Sequence, residues 1–186
     1  MLPWILACGS EAMHEDVSGA DPEPPSENMA AALAQFRQGL PETHTLADAS
    51  STRDALVERF ATALVNADTA AFARMMMTRA EFAWLYYPNT KHTRPPYEME
   101  ADLLWFFMIE NARKGIGRAL REYAGKRLGY EGYRCAAEPE TEGRNRLWQG
   151  CVIRMGSTHG TVEKRLFGTI LERDGRFKLV SLANDL

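Results

Sequence analysis

Near residue 128 the hydrophobic pattern changes period, and this change restricts the fold more than any other feature of the chain. Before it, apolar residues recur every three or four positions, the spacing of helices with one buried face. After it come four short segments rich in branched and aromatic residues, at 128–137, 146–155, 162–173 and 176–184. Turn-forming residues separate them. Asp174-Gly175 is a strong hairpin signal, because both residue types tolerate the positive φ of a two-residue turn. The pattern predicts an antiparallel meander. With helices preceding it, the expected class is α+β: N-terminal helices packed on a curled, four-strand antiparallel sheet.

The helical part divides at its own punctuation. Residues 28–38 place Met29, Leu33 and Phe36 on one side of a short amphipathic helix, stopped by Gly39 and Pro41, which reads as a brace on the domain. Ser51 stands where it can cap the next helix, in which Leu56, Phe60 and Leu64 recur at four-residue spacing. Asp68 is placed to cap a further helix through Phe72 and Met76. The run Met75-Met76-Met77 invites a soft-metal or peptide-binding reading, but consecutive residues point around a helix, so core filling is expected. Residues 79–87 are aromatic-rich and fit either a strand or a helical turn, ended by Pro88. A long helix is expected from about 97 to 123, with Leu103, Phe106, Phe107 and Glu110 at helical spacing and a kink or break at Gly115 and Gly117.

Charge is divided unevenly. Residues 1–50 hold eight acids and one base, Arg37; the rest holds 17 acids and 21 bases, so a net charge of −3 hides a domain of about +4. Residues 9–28 are rich in Pro, Ser and acid and nearly free of apolar side chains, so they cannot offset their own ordering entropy and read as a solvated tether. Before them, Ile5-Leu6-Ala7-Cys8 resembles the end of a bacterial lipoprotein signal, whose Cys becomes lipidated. A basic start is missing and the apolar stretch is shorter than the ~7–15 residues of a signal core. Either the true start lies upstream of Met1, or the likeness is accidental. The expected organisation is a partial signal at 1–8, a tether at 9–28, a bracing helix and loop at 29–50, and an α+β domain at 51–186. The longest apolar run, 103–109, is far below the ~18 residues of a membrane span, so attachment falls to Cys8. The expected location is the bacterial cell envelope, lipid-anchored and facing the periplasm or exterior.

If Cys8 carries lipid, an even pair of cysteines remains. With residues 138–144 as a hairpin loop centred near Gly143, Cys135 and Cys151 fall opposite each other and at a separation that a disulfide spans. The alternative is two buried, reduced thiols.

Helices first, an aromatic segment, a long helix and a curled sheet ending in Asp174-Gly-Arg-Phe-Lys-Leu-Val-Ser-Leu-Ala-Asn184 together resemble the nuclear transport factor 2-like fold, shared with ketosteroid isomerase and SnoaL-like proteins. The resemblance covers roughly residues 51–186 and rests on element order. It implies a cone lined by one sheet face, capped by helices, and a homodimer through the other face. Phe177 and Leu179 on one side of the last strand, with Val180 and Leu182, predict that both its faces are covered.

An isomerase of that kind needs a carboxylate base in an apolar pocket beside a Tyr and a protonated acid. Glu81 and Asp102 are the candidate bases, with Tyr86, Tyr87 and Asp185 as further candidates. Glu81 leads, because desolvation among Phe82, Trp84 and Leu85 would raise its pKa; the other reading has it facing solvent or paired with Arg79 or another base. Trp84, Tyr86, Tyr87, Trp105 and Phe106 either line a pocket for a small apolar ligand or form ordinary core. Arg113, Lys114 and Arg118 would hold an anion if a helix restarts after Gly115, or else form a solvated basic face. His14, His44, His92 and His159 have no ligand partners at metal-binding spacing, so neither a metal nor a cofactor is expected. Neither a nucleophile motif nor an address compatible with nucleic acid is present. The expected function is non-catalytic binding of a small apolar ligand or a partner protein by a lipid-anchored envelope domain. The competing class is an enzyme with Glu81 or Asp102 in the cone.

Overall fold

The computed structural model describes residues 26–157 and 160–186; Cys8, His14, His159 and all but the end of the tether lie outside them. Helix α1 (Glu27–Phe36) buries Met29, Leu33 and Phe36, as their spacing predicts. Helix α2 (Arg53–Val65) is capped by Thr52 rather than Ser51: Thr52 is the residue whose hydroxyl reaches the N–H of Ala55, at 3.0 Å. Asp68 caps α3 (Thr69–Met75) by accepting from Ala71 at 2.9 Å. Met75 and Met77 are both buried, in different parts of the core, which is the outcome expected for filler.

The aromatic segment is helical. It opens with the short α4 (Arg79–Glu81), capped reciprocally by Thr78 and Glu81, and continues as a π-helical turn at Phe82–Tyr86 and a 3-10 turn at Tyr87–Asn89. Helix α5 (Ala101–Tyr123) starts later than the sequence suggests and runs unbroken through Gly115 and Gly117. Gly115 serves a close approach instead of a break. A Cβ there would collide with the carbonyl of Leu182, where the C-terminal segment crosses the helix, and Asn184 fastens the crossing by donating to the Gly115 carbonyl at 2.8 Å.

The strands form two antiparallel sheets where one four-strand meander was expected. β1 (Gly129–Arg134), β4 (Val152–Ser157) and β5 (Gly160–Lys164) pair in the order β1-β4-β5. β2 (Glu140–Glu142), β3 (Asn145–Trp148), β6 (Ile170–Arg173) and β7 (Arg176–Leu179) pair in the order β2-β3-β6-β7. β2 falls in the expected loop 138–144, and the second and third expected strands, 146–155 and 162–173, are each divided because the chain changes sheet between β5 and β6 and at Gly150, whose φ of 63° turns the backbone. The Cys135–Cys151 disulfide spans this change. It lies one step beyond the Arg134–Val152 pair, in the same register, and closes a 16-residue separation that the chain-entropy argument values at about 3 kcal/mol.

Two packed clusters form the core. Phe60, Phe72, Met75, Ile153, Met155 and Phe167 belong to one, in which Phe60 meets Phe72 and Phe167 edge-on at 5.3 and 5.1 Å. Phe36, Phe82, Leu85, Tyr87 and Leu104 belong to the other. β6 and β7 run between them: Ile170 and Leu179 face the first cluster, Leu171 and Val180 the second. Both faces of this strand pair are thus covered within the chain.

Candidate functional site

Because side chains alternate along a strand, the register places Glu142, Asn145, Leu147, Leu171, Arg173 and Lys178 on one face of the four-stranded sheet. The segment 79–93 lies over this face, and four of its polar residues are buried: Glu142, Asn145, Arg173 and Lys178. The charges must therefore find partners inside the fold.

Glu81 supplies one. It is 2 % exposed, against 1 % for Lys178. Its Oε1 accepts from the Ala47 N–H at 2.6 Å and from Lys178 Nζ at 3.0 Å; its Oε2 accepts from the Thr78 N–H at 2.7 Å and from Lys178 Nζ at 2.9 Å. Two amides and an ammonium occupy both oxygens. The carboxylate is fixed by the capping box and by the loop at Ala47, and it ties α4 to β7 across 97 residues of sequence. Such a carboxylate joins segments and presents no free lone pair toward a substrate.

A second polar knot lies farther along the sheet. Arg173 Nη1 donates to Asn145 Oδ1 at 2.8 Å, and Asn145 Nδ2 and Asn89 Nδ2 each donate to the Leu85 carbonyl at 2.9 Å. Burial, and then the nearby Arg144, lower the pKa of Arg173 from its ordinary value. Glu142 Oε1 accepts from the Lys91 N–H at 3.0 Å, while Glu142 Oε2 and Arg173 Nε lack a hydrogen-bond partner among the described residues; Arg173 Nε lies 3.9 Å from Asp174 Oδ2. A groove of about 430 Å³, lined by residues including Thr45, Asp48, Arg173, Asp174 and Arg176, borders this end of the sheet. Its acids and bases are interleaved.

The structure packs Tyr86, Tyr87 and Trp105 into one aromatic cluster, with Phe106 outside it, while Glu81 is held by Lys178, Ala47 and Thr78 and Asp102 acts on the Tyr87 hydroxyl only through its charge. Phe82 is the hub, with ring centres 6.0 Å from Tyr86, 5.5 Å from Tyr87 and 5.2 Å from Trp105. The Tyr87 hydroxyl donates to the Met99 carbonyl at 2.7 Å. Burial pushes the Tyr86 and Tyr87 hydroxyls up to about 12, with Glu142 adding to the effect at Tyr86 and Glu100 at Tyr87. Trp84 is half-buried beneath the Arg37 guanidinium, 3.8 Å from its ring centre. Asp102 is exposed in the first turn of α5, Phe106 is 56 % exposed, and Asp185 pairs with Arg165 at the surface.

Arg113, Lys114 and Arg118 do share a surface groove of about 420 Å³ with Gly117 and Arg121. Since α5 is continuous, no helix N-terminus points into it, and these bases act through side chains alone. Arg113 bridges to Glu110 at 2.9 Å and Arg118 donates to Asn184 at 3.0 Å. Among the described residues no group of three His, Cys, Asp or Glu is arranged to hold a metal, and no helix is long and apolar enough to cross a membrane.

Sequence reasoning missed Lys178, Arg173, Asn145 and Glu142. A signal existed for Lys178: it alternates with Phe177 and Leu179 and so shares a face with Val180, which is a buried position for a charge. The chain matches no protein-family model, no curated protein and no solved structure.

Proposed function

We propose that this chain is a lipid-anchored cell-envelope domain that works by binding and not by catalysis, on a nuclear transport factor 2-like architecture whose cone is filled by its own side chains. The order of helices, aromatic segment, long helix and antiparallel strands supports that architecture, although the strands divide into two sheets. The observation that carries the non-catalytic reading is the saturation of Glu81, the best-placed carboxylate, by Lys178 and two backbone amides. The packing of Tyr86, Tyr87 and Trp105 on Phe82 favours a partner protein over a small apolar ligand, because the rings meet each other where a pocket would need a void.

Expression in a bacterial host from the natural upstream sequence, with labelled palmitate, tests the anchor. Label is expected on the protein and lost in Cys8→Ala; an unlabelled, soluble protein removes the anchor from this reading. Native mass spectrometry tests the filled cone. The purified protein is expected at the mass of residues 8–186 plus lipid, and a small molecule released only on unfolding would restore the ligand or enzyme alternatives.

A further inference from the structure

We propose that the outward face of α5 is a self-association surface on which two copies of this chain pack antiparallel, about a two-fold axis beside Phe106 and Phe107. This goes beyond the reading above and does not depend on the anchor.

The buried side of α5 is made by Ala101, Leu104, Ala112, Gly115, Ala119 and Tyr123. At about 100° per residue the opposite side carries Leu103, Phe106 and Phe107 in its first half, then Glu110, Arg113 and Lys114. In a helix that folds against one core, the outward side should be polar. Here Leu103, Phe106 and Phe107 are 46 %, 56 % and 45 % exposed, and Ile109 at the border is 38 % exposed. With full side-chain areas of about 150–250 Å² for the aromatic residues, the four expose roughly 350 Å² of contiguous apolar surface, the size of the largest patches on monomers.

The arrangement of charge selects the occupant. Glu100 and Asp102 precede the apolar ridge, and Arg113 and Lys114 follow it; all four are exposed. Glu100 and Arg113 stand equally far from the midpoint between Phe106 and Phe107, about 10 Å along the axis in each direction. A second α5 laid antiparallel on that midpoint sets the phenyl rings of the two copies together. It also brings the acidic end of each copy to the basic end of the other, twice, as an isologous two-fold interface requires. Antiparallel helix dipoles add to the match. An anionic lipid surface fits less well, because Glu98, Glu100, Asp102 and Glu110 border the ridge and would face the headgroups. The sheets offer no comparable surface: β6 and β7 are covered on both faces, and the outer side of β1, β4 and β5 carries Glu131, Arg134, Arg154 and Glu163 in ion pairs.

The apolar centre is under half of the ~800 Å² per partner of a stable interface, so the charged flanks must join and the dimer should be weak and salt-sensitive. Sedimentation velocity on the full chain bearing Cys8→Ser, over a wide concentration range, reads this directly. A reversible dimer is expected, abolished by Phe106→Glu with Phe107→Glu while the circular dichroism spectrum is unchanged. Two charge variants test the orientation: Glu100→Lys with Asp102→Lys makes the flanks basic apart from Glu98 and Glu110, and Arg113→Glu with Lys114→Glu makes them acidic. Each alone should dimerise at least about ten-fold more weakly than the parent, and an equimolar mixture should recover a heterodimer. A monomer at every concentration, a dimer indifferent to the Phe106 and Phe107 changes, or charge variants that fail to restore each other on mixing would overturn the proposal. So would ridge-dependent flotation of a monomer with phosphatidylethanolamine–phosphatidylglycerol vesicles, which would assign the ridge to lipid.

Discussion

Glu81 lies in the sequence beside Phe82, Trp84 and Leu85, and those neighbours mark it as a candidate for burial without deciding between burial, solvent and a nearby base. They cannot say what compensates it. The partner, Lys178, is brought there by a β-strand near the C-terminus, and no local pattern near residue 81 encodes which base arrives. A carboxylate with an ammonium and two amides around it is structural by its connections, so its replacement should be felt in stability. Glu81→Gln keeps the volume but removes the negative charge and turns an acceptor into a donor facing backbone N–H groups. It leaves Lys178 as an uncompensated buried charge, and the expected cost is about 3–5 kcal/mol. Adding Lys178→Met should recover a large part of that loss, since a buried pair exchanged for an apolar group is often close to neutral. Urea denaturation of both single variants and the double variant measures the coupling directly. Losses that simply add would mean that the two side chains do not interact.

Among the elements, the most legible were those whose signals are local. α1, the caps at Asp68 and the β6–β7 hairpin at Asp174-Gly175 follow from residues within one or two turns of each other. The disulfide was also legible, because symmetry about Gly143 fixes the register of 135 and 151 whether or not the intervening strands divide. α5 shows what local reasoning misses. Gly115 and Gly117 carry the same propensity penalty, yet one receives the C-terminal segment against its α-carbon and the other faces outward, with only the end of the Arg121 side chain nearby at 3.6 Å. The two therefore respond oppositely to the same change. Gly117→Ala should stabilise by up to about 1 kcal/mol, the ordinary helix preference for Ala. Gly115→Ala should destabilise by about 2 kcal/mol or more, because the methyl group meets the backbone carbonyl of Leu182, which cannot move without releasing Asn184 from the helix. Thermal melts of the two variants side by side test this. Equal shifts would show that the crossing at Gly115 is looser than described. Phe106, expected in a pocket or the core, stands instead on an outward ridge with Leu103 and Phe107 for a related reason: helical spacing identifies an apolar stripe but not which stripe faces the core, and the smaller residues Ala101, Ala112, Gly115 and Ala119 lie on the closely packed side.

At the scale of the whole molecule, the two core clusters share β6 and β7, so loosening one exposes apolar surface of the other and the domain should unfold as a unit. That coupling gives the buried tyrosines a global readout. Tyr86 and Tyr87 have folded-state pKa values raised to about 12, mainly by burial, against about 10 in an unfolded chain. The protonated hydroxyl is the form the fold favours. Below pH 10 both states hold the proton and the contribution is fully present; between pH 10 and 12 the unfolded chain gives up its protons first, and stability falls as pH rises. Above about 12 the contribution is gone. Lysine deprotonation in the unfolded chain overlaps this window, so the tyrosines are isolated by comparison with a variant carrying Tyr86→Phe and Tyr87→Phe. The denaturation midpoint of the parent should fall more steeply from pH 9.5 to 11.5, a range about the ~10 reference value of Tyr, than that of the variant. Tyrosinate absorbance of the parent should show two more hydroxyls than that of the variant that ionise only as the fold is lost. Parallel slopes for parent and variant would mean that the hydroxyls already reach water in the native state, and the aromatic cluster around Phe82 would then be open enough to reconsider as a binding pocket.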